Sequence, residues 1–272
     1  MNQIKNKLLV LFLLVSLFSS CYEHEEGCRD INALNFDVAA DKDCENNCCK
    51  YPDVYINFRL TNDSITVDTN TILANNLNDT IRIKYFRMYL SGFKIINTHN
   101  DTLILLNKIQ TGTDEDGKTE YKYINFTVAK VKAKSQTYNL GNLTKLDNYN
   151  EFIFDFGIDS LVNHSILDKV NISNPLSIKD NDMYISTSLG YYFLKMEIEM
   201  PDNTIKYVYI SGDKFQSTIS INKDLDLRER TNHYIDLDLD ISKWLLPVDL
   251  NKNDDELKAI LLHNLNKSMI IR

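Results

Sequence analysis

DMYISTSLGYYFLKMEIE, residues 182–199, decides how the chain is read. It joins a polar Ser/Thr loop to Tyr191, Tyr192, Phe193 and Leu194, residue types that suit a pleated, half-buried surface. The segments around it follow the same logic. Val54, Ile56, Phe58 and Leu60 alternate with Tyr55, Asn57 and Arg59, and Phe152, Phe154 and Phe156 alternate with Ile153 and Asp155. A period of two marks a strand with one buried face. Residues 204–211 and the pair Ile219 and Ile221 predict two more strands. In residues 80–96 Ile81, Ile83 and Tyr85 keep one phase, and Phe86, Met88 and Leu90 keep the other. Such a flip predicts a bulge or a short helical turn. Ile235, Leu237, Leu239 and Ile241 alternate with Asp236, Asp238 and Asp240, which predicts a solvated acidic face, with a cation site as the alternative. Residues 254–265 place Leu257, Ile260 and Leu261 at helical spacing behind an acidic first turn.

These elements predict an all-β fold: an antiparallel β-sandwich or barrel-like domain with a short C-terminal helix, preceded by a small Cys-rich module. The expected boundaries are 1–20 for a signal peptide, 21–52 for a lipid-anchor linker and the Cys-rich module, and 53–272 for the β domain.

Residues 1–20 carry Lys5 and Lys7, then an apolar run of about eleven residues from Leu8 to Phe18. That run is too short to span a bilayer and has the size of a secretory signal. Leu17-Phe18-Ser19-Ser20-Cys21 resembles a bacterial lipobox, which implies a lipid on the Cys21 thiol. An ordinary signal peptide, with Cys21 in a disulfide, is the alternative. The chain has 5 cysteines, so acylation of Cys21 leaves an even set: Cys28, Cys44, Cys48 and Cys49. Residues 22–26, YEHEE, resemble a surface-export signal, with a solvated linker as the plain alternative. The expected address is an outer membrane lipoprotein, facing the periplasm or the cell surface.

The four remaining cysteines lie in residues 28–52, a stretch too poor in apolar mass to order itself without covalent staples. Their pairing is open, except that adjacent Cys48 and Cys49 are poorly placed to bond to each other. Asp30, Asp37, Asp41 and Asp43 offer oxygen ligands for calcium, or serve as turn residues. The sequence TDEDG, residues 113–117, reads as a hairpin tip. The net charge is −8, and no basic run interrupts it, so no nucleic-acid partner is expected. No G-x-S-x-G, H-E-x-x-H or phosphate loop is present, and no enzyme is expected.

Several dispersed signatures in residues 54–271 resemble the MbnP-like (methanobactin-associated copper-binding protein) domains, in lipoproteins of the Bacteroidota type. That family reads roughly M-Y/F-W-x-W-x-x-G-Y-x-F-x-K-x-E where this chain has Met183, Tyr184, Gly190, Tyr191, Phe193, Lys195 and Glu197. Ile185 and Thr187 stand at its two tryptophans. Gly157, Asp159, Ser160 and Asn163 match F-x-x-G-V-D-S-x-x-N, and Tyr89, Leu90 and Ser91 match Y-I-S. Asp240, Lys243 and Trp244 match D-x-x-K-W. Alignment on Gly212 puts Tyr209 at a family histidine. The resemblance implies copper held by a histidine-containing site, with a tryptophan oxidised to kynurenine by a dihaem peroxidase-like partner. The 5 histidines here are dispersed: His24, His99, His164, His233 and His263. His164 and His233 are the candidate copper ligands. The expected function is an exported, lipid-anchored binding protein with an altered metal site. The alternatives are a structural lipoprotein that docks a protein or glycan without metal, and a hydrolase with a cryptic cleft.

Overall fold

Two disulfides, Cys28–Cys49 and Cys44–Cys48, staple the first of two units into which the computed structural model divides between Lys50 and Tyr51. The described residues are 24–45, 47–77, 79–115 and 118–272, so the expectations for the signal peptide and Cys21 lie outside them. In the first unit β1 (Glu26–Gly27) pairs with β2 (Lys42–Asp43). Its aspartates turn the chain: Asp30 accepts from the Asn32 N–H at 2.9 Å, and Asp37 accepts from the Ala39 N–H at 2.9 Å. A short side-chain acceptor two residues back is the Asx-turn device.

The second unit begins with β3 (Asp53–Asn62), β4 (Ile65–Thr66), β5 (Leu73–Ala74), β6 (Thr80–Asn97) and β7 (Thr102–Ile104). The hairpin of β8 (Lys108–Glu115) and β9 (Lys118–Asn125) follows, then β10 (Val128–Lys132), β11 (Gln136–Asn142) and β12 (Asp147–Phe156). A one-turn helix α1 (Ser160–Asn163) precedes β13 (Tyr184–Ser186), β14 (Gly190–Glu199), β15 (Ile205–Ser211), β16 (Ser217–Leu227) and β17 (His233–Asp240). The chain ends with α2 (Ile241–Trp244), α3 (Asp254–Ser268) and β18 (Met269–Ile271).

One sheet has the order β13-β14-β6-β12-β16, with β5, β7 and β10 also on β6 and β15 on β14. The other has the order β11-β3-β17-β18, with β4 on β3. The expected alternations all become strands. The phase flip in β6 is a bulge: Glu197 faces Tyr85 and the next residue, Ile198, faces Ile83, which leaves Lys84 extra. Within the second sheet β3 and β17 run parallel, since 170 or so residues separate them and no hairpin constrains their direction.

The acidic face of β17 differs from expectation. The register places Asp236 beside Asn57 and Asp238 beside Arg59. Arg59 Nε donates to Asp238 at 2.8 Å, Arg272 also pairs with Asp238, and Lys243 lies 3.3 Å from Asp240. Asp238 and Asp240 are therefore buried and neutralised, not solvated. Burial of a carboxylate is tolerated when paired in this way.

The two sheets meet through aromatic side chains. Phe58 of β3 stacks on Phe86 of β6 at 6.3 Å, and Phe86 meets the edge of Trp244 at 6.0 Å. The Trp244 Nε1–H donates to the Leu261 carbonyl at 3.0 Å, which ties α2 to α3. Trp244→Ala is expected to lower stability by about 3–5 kcal/mol, the range for deleting a large buried aromatic side chain. Urea denaturation measures it, and a loss below about 1 kcal/mol would show that this contact is not a core element.

Candidate functional site

The loop after β12 makes a polar node. Asp159 caps α1 by accepting from the Leu161 N–H at 3.0 Å. That fixes Ser160, Asn163 and His164 around Asp213, at the start of a short turn after β15. Ser160 Oγ donates to Asp213 at 2.5 Å, Asn163 Nδ2 donates at 3.1 Å, and His164 Nε2 lies 3.2 Å from the same carboxylate. Asn163 Oδ1 in turn accepts from the Tyr191 N–H at 3.0 Å. Gly190 is required there: its φ is +69°, and a Cβ would overlap the Asn163 amide. The Ser160 hydroxyl, then Asn163 and His164, hold the Asp213 carboxyl below its ordinary range.

The second group of candidate residues lies on β14 and β15. Met183 and Tyr191 are buried, and Tyr191 donates to the Leu176 carbonyl. Tyr184 packs on Tyr191 at 5.1 Å and its hydroxyl lies 3.0 Å from Thr187 Oγ1. Tyr209 packs on Tyr192 at 5.4 Å and donates to Glu197 at 3.4 Å. Burial first, then the Glu197 charge, push the Tyr209 phenol up from its ordinary pKa. Lys195 Nζ lies 5.7 Å from the ring centre of Tyr85, 5.6 Å from that of Tyr192 and 5.2 Å from that of Tyr209. A cation at such distances is attracted by the ring faces.

His164 and His233 serve different partners. His233 is buried at the start of β17, and its Nε2–H donates to the Glu229 carbonyl at 3.0 Å. Among the described residues no group of three or more His, Cys, Asp or Glu side chains could hold a metal ion. Asp213 was not singled out by the sequence, because nothing distinguishes it among many aspartates. Its one signal is its position directly after Gly212.

Removing the Asp213 side chain leaves three donors without their acceptor. Asp213→Ala is expected to lower stability at neutral pH by about 1 kcal/mol, a small figure because the carboxylate is half exposed to solvent. The depressed carboxyl contributes above the unfolded pKa, and that contribution is lost as pH falls through the folded one. The gap between wild type and variant should therefore close on acidification below the usual carboxylate range. Urea titrations at several pH values measure it.

No curated protein matches the sequence. Among solved structures, MbnP from Methylosinus trichosporium is 15% identical, covers 74% of this chain and 79% of its own, and superposes with a TM-score of 0.47. The family model for MbnP matches residues 51–263, nearly the whole second unit, and the chain belongs to the MbnP family.

Proposed function

We propose that this chain is an exported, lipid-anchored binding protein that uses the MbnP scaffold for a ligand other than copper. One observation carries the reading: the side chains at the family's metal-associated positions have the wrong chemistry. Tyr209 replaces the histidine and its hydroxyl is engaged by Glu197. Ile185 and Thr187 replace the two tryptophans. Copper favours imidazole, thiolate and thioether donors, and none of these three supplies one. His164 faces the Asp213 carboxylate, to which Ser160 and Asn163 also donate, and His233 is bonded to a backbone carbonyl. The dihaem peroxidase-like partner implied by the family has no indole at residues 185 and 187 to oxidise. The remaining tryptophan, Trp244, is core.

No catalytic role is proposed. Ser160 Oγ hydrogen-bonds to Asp213, whose carboxyl is held below its ordinary range and is therefore a weak base for activating a hydroxyl. The basic start, the apolar run and the Cys21 context support export and lipid anchoring at the outer membrane. A structural role, with a protein or glycan docked on the β domain, has one supporting observation: Tyr207, 55% exposed, extends the Tyr209 surface outward.

Copper and calcium titrations of the full chain, with metal content measured by mass spectrometry, test the reading. No stoichiometric copper is expected at micromolar concentration. Stoichiometric copper that disappears in His164→Ala or His233→Ala would overturn it, and stoichiometric calcium would return attention to the aspartates of the first unit. For the anchor, Cys21→Ala is expected to move the protein from the membrane fraction to the soluble fraction. A variant that remains with membranes would rule out the lipid on Cys21.

A further inference from the structure

On the outer face of the larger sheet the register brings cations into a row. Lys132 of β10 lies opposite Arg87 of β6, Arg87 lies opposite Lys195 of β14, and Lys195 lies opposite Tyr209 of β15. Directly opposed residues of an antiparallel ladder share one face. The neighbours Val131, Met88, Met196 and Val208 are buried, so this row turns away from the core. Paired strands lie about 4.8 Å apart, which sets the three cations along about 10 Å.

Like charges directly opposite one another are unfavourable in a sheet. Two carboxylates border the strip: Asp182, which also accepts from the Tyr85 hydroxyl, and Glu197, which accepts from Tyr209; with Lys130 beside the row, four cations face these two. Arg87 Nε reaches Asp182 at 3.7 Å, but Lys195 Nζ donates to the Asp182 backbone carbonyl at 3.1 Å. Next to the row, Lys130 donates to an amide oxygen, Asn181 Oδ1, at 3.2 Å. Burial first, then the charges of Arg87 and Lys132, hold the Lys130 ammonium below the ordinary lysine range, with Asp182 acting the other way. This positive strip occurs in a chain whose net charge is −8. Tyr85, Tyr192 and Tyr209 rim it.

We propose that this strip seats an acidic saccharide. Carboxylate or sulfate oxygens lie over Lys132, Arg87 and Lys195, where a guanidinium flanked by two ammonium groups favours oxyanions. The apolar face of a sugar ring covers Tyr209, one strand beyond the last cation. An anion over the row also removes the repulsion that the bare sheet carries. The acidic remainder of the chain repels any long polyanion, so the strip of about 10 Å takes a short acidic saccharide and not a long polyphosphate. An acidic peptide brings a ring to Tyr209 only where it carries proline or an aromatic side chain, whereas every unit of a saccharide brings one. The assignment deepens the binding-protein reading and rests on it.

The test is calorimetric titration of the full chain with four probes: a heparin-derived oligosaccharide, a galacturonate oligomer, a neutral dextran oligomer and a single-stranded oligonucleotide. Inorganic sulfate serves as a fifth, ring-free probe. The two acidic saccharides are expected to bind, more weakly as salt rises, and dextran is not. Lys132→Glu should weaken them by about tenfold or more with the circular dichroism unchanged. Lys132→Gln, which keeps the length of the side chain, should act in the same direction if Lys132→Glu folds poorly. Tyr209→Ala should weaken the saccharides and leave sulfate unaffected. The proposal is overturned if neither acidic saccharide binds, if the Lys132 variants bind as wild type does, or if the oligonucleotide binds more tightly than the saccharides. In a protein shown to be copper-free, such failure removes the ligand class only. Stoichiometric copper would remove the reading beneath it.

Discussion

The register of β6 is the constraint on which the rest of the second unit depends. This one strand pairs with β14 and then β12, and also with β5, β10 and β7. A slip of one residue would turn its core side chains to solvent. The bulge at Lys84 resolves the conflict written into its sequence. It lets Ile81 and Ile83, on one phase, and Phe86 and Met88, on the other, all reach the same core. The same register sets Arg87 between Lys132 and Lys195. Core packing and the outer charged row are thus two faces of one pairing.

Much of the fold was legible because a half-buried strand advertises itself by alternation. Val54 to Leu60, Phe152 to Phe156 and Ile235 to Ile241 each bury the residues that the period of two selects. What alternation cannot carry is the identity of a strand's neighbours. Asp236, Asp238 and Asp240 look like a solvated ladder when β17 is read alone. Only the parallel pairing with β3 brings Arg59 to Asp238, and only β18 brings Arg272. The charged row was invisible for the same reason. Lys132, Arg87 and Lys195 lie in three separate strands and belong to no motif. Asp159 caps the helix that follows it directly, a local device whose two parts adjoin in the chain. Asp213, the partner of the residues that follow Asp159, was not legible, because it returns from another strand.

The node around Asn163 shows what the matched residues of the family do mechanically. Asn163 accepts from the backbone of β14 and donates to the turn after β15, so one amide joins three segments. Gly190 is fixed by the same contact, since its left-handed backbone and lack of a Cβ admit the amide. Tyr191, next along, is buried and closes the space beneath through its bond to the Leu176 carbonyl. These residues are explained without any ligand.

That division bears on how a binding site changes on a retained scaffold. Met183, Asn163, Gly190 and Tyr191 are buried, and a change at any of them strands a polar group, opens a cavity or, at Gly190, drives a Cβ into the Asn163 amide, at a cost of about 1–3 kcal/mol. Ile185, Thr187 and Tyr209 are half-buried or exposed, and substitution there disturbs folding little. Stability therefore holds the first set and leaves the second to whatever ligand is selected. The departures from the family pattern fall in the second set, and one of them, Tyr209, packs on Tyr192 beside Lys195. A phenol hydrogen-bonded to Glu197 in place of an imidazole exchanges a metal donor for a flat, half-apolar ring. For the acidic saccharide proposed, the ring offers the flat surface and the neighbouring cations Lys195, Arg87 and Lys132 offer the charge.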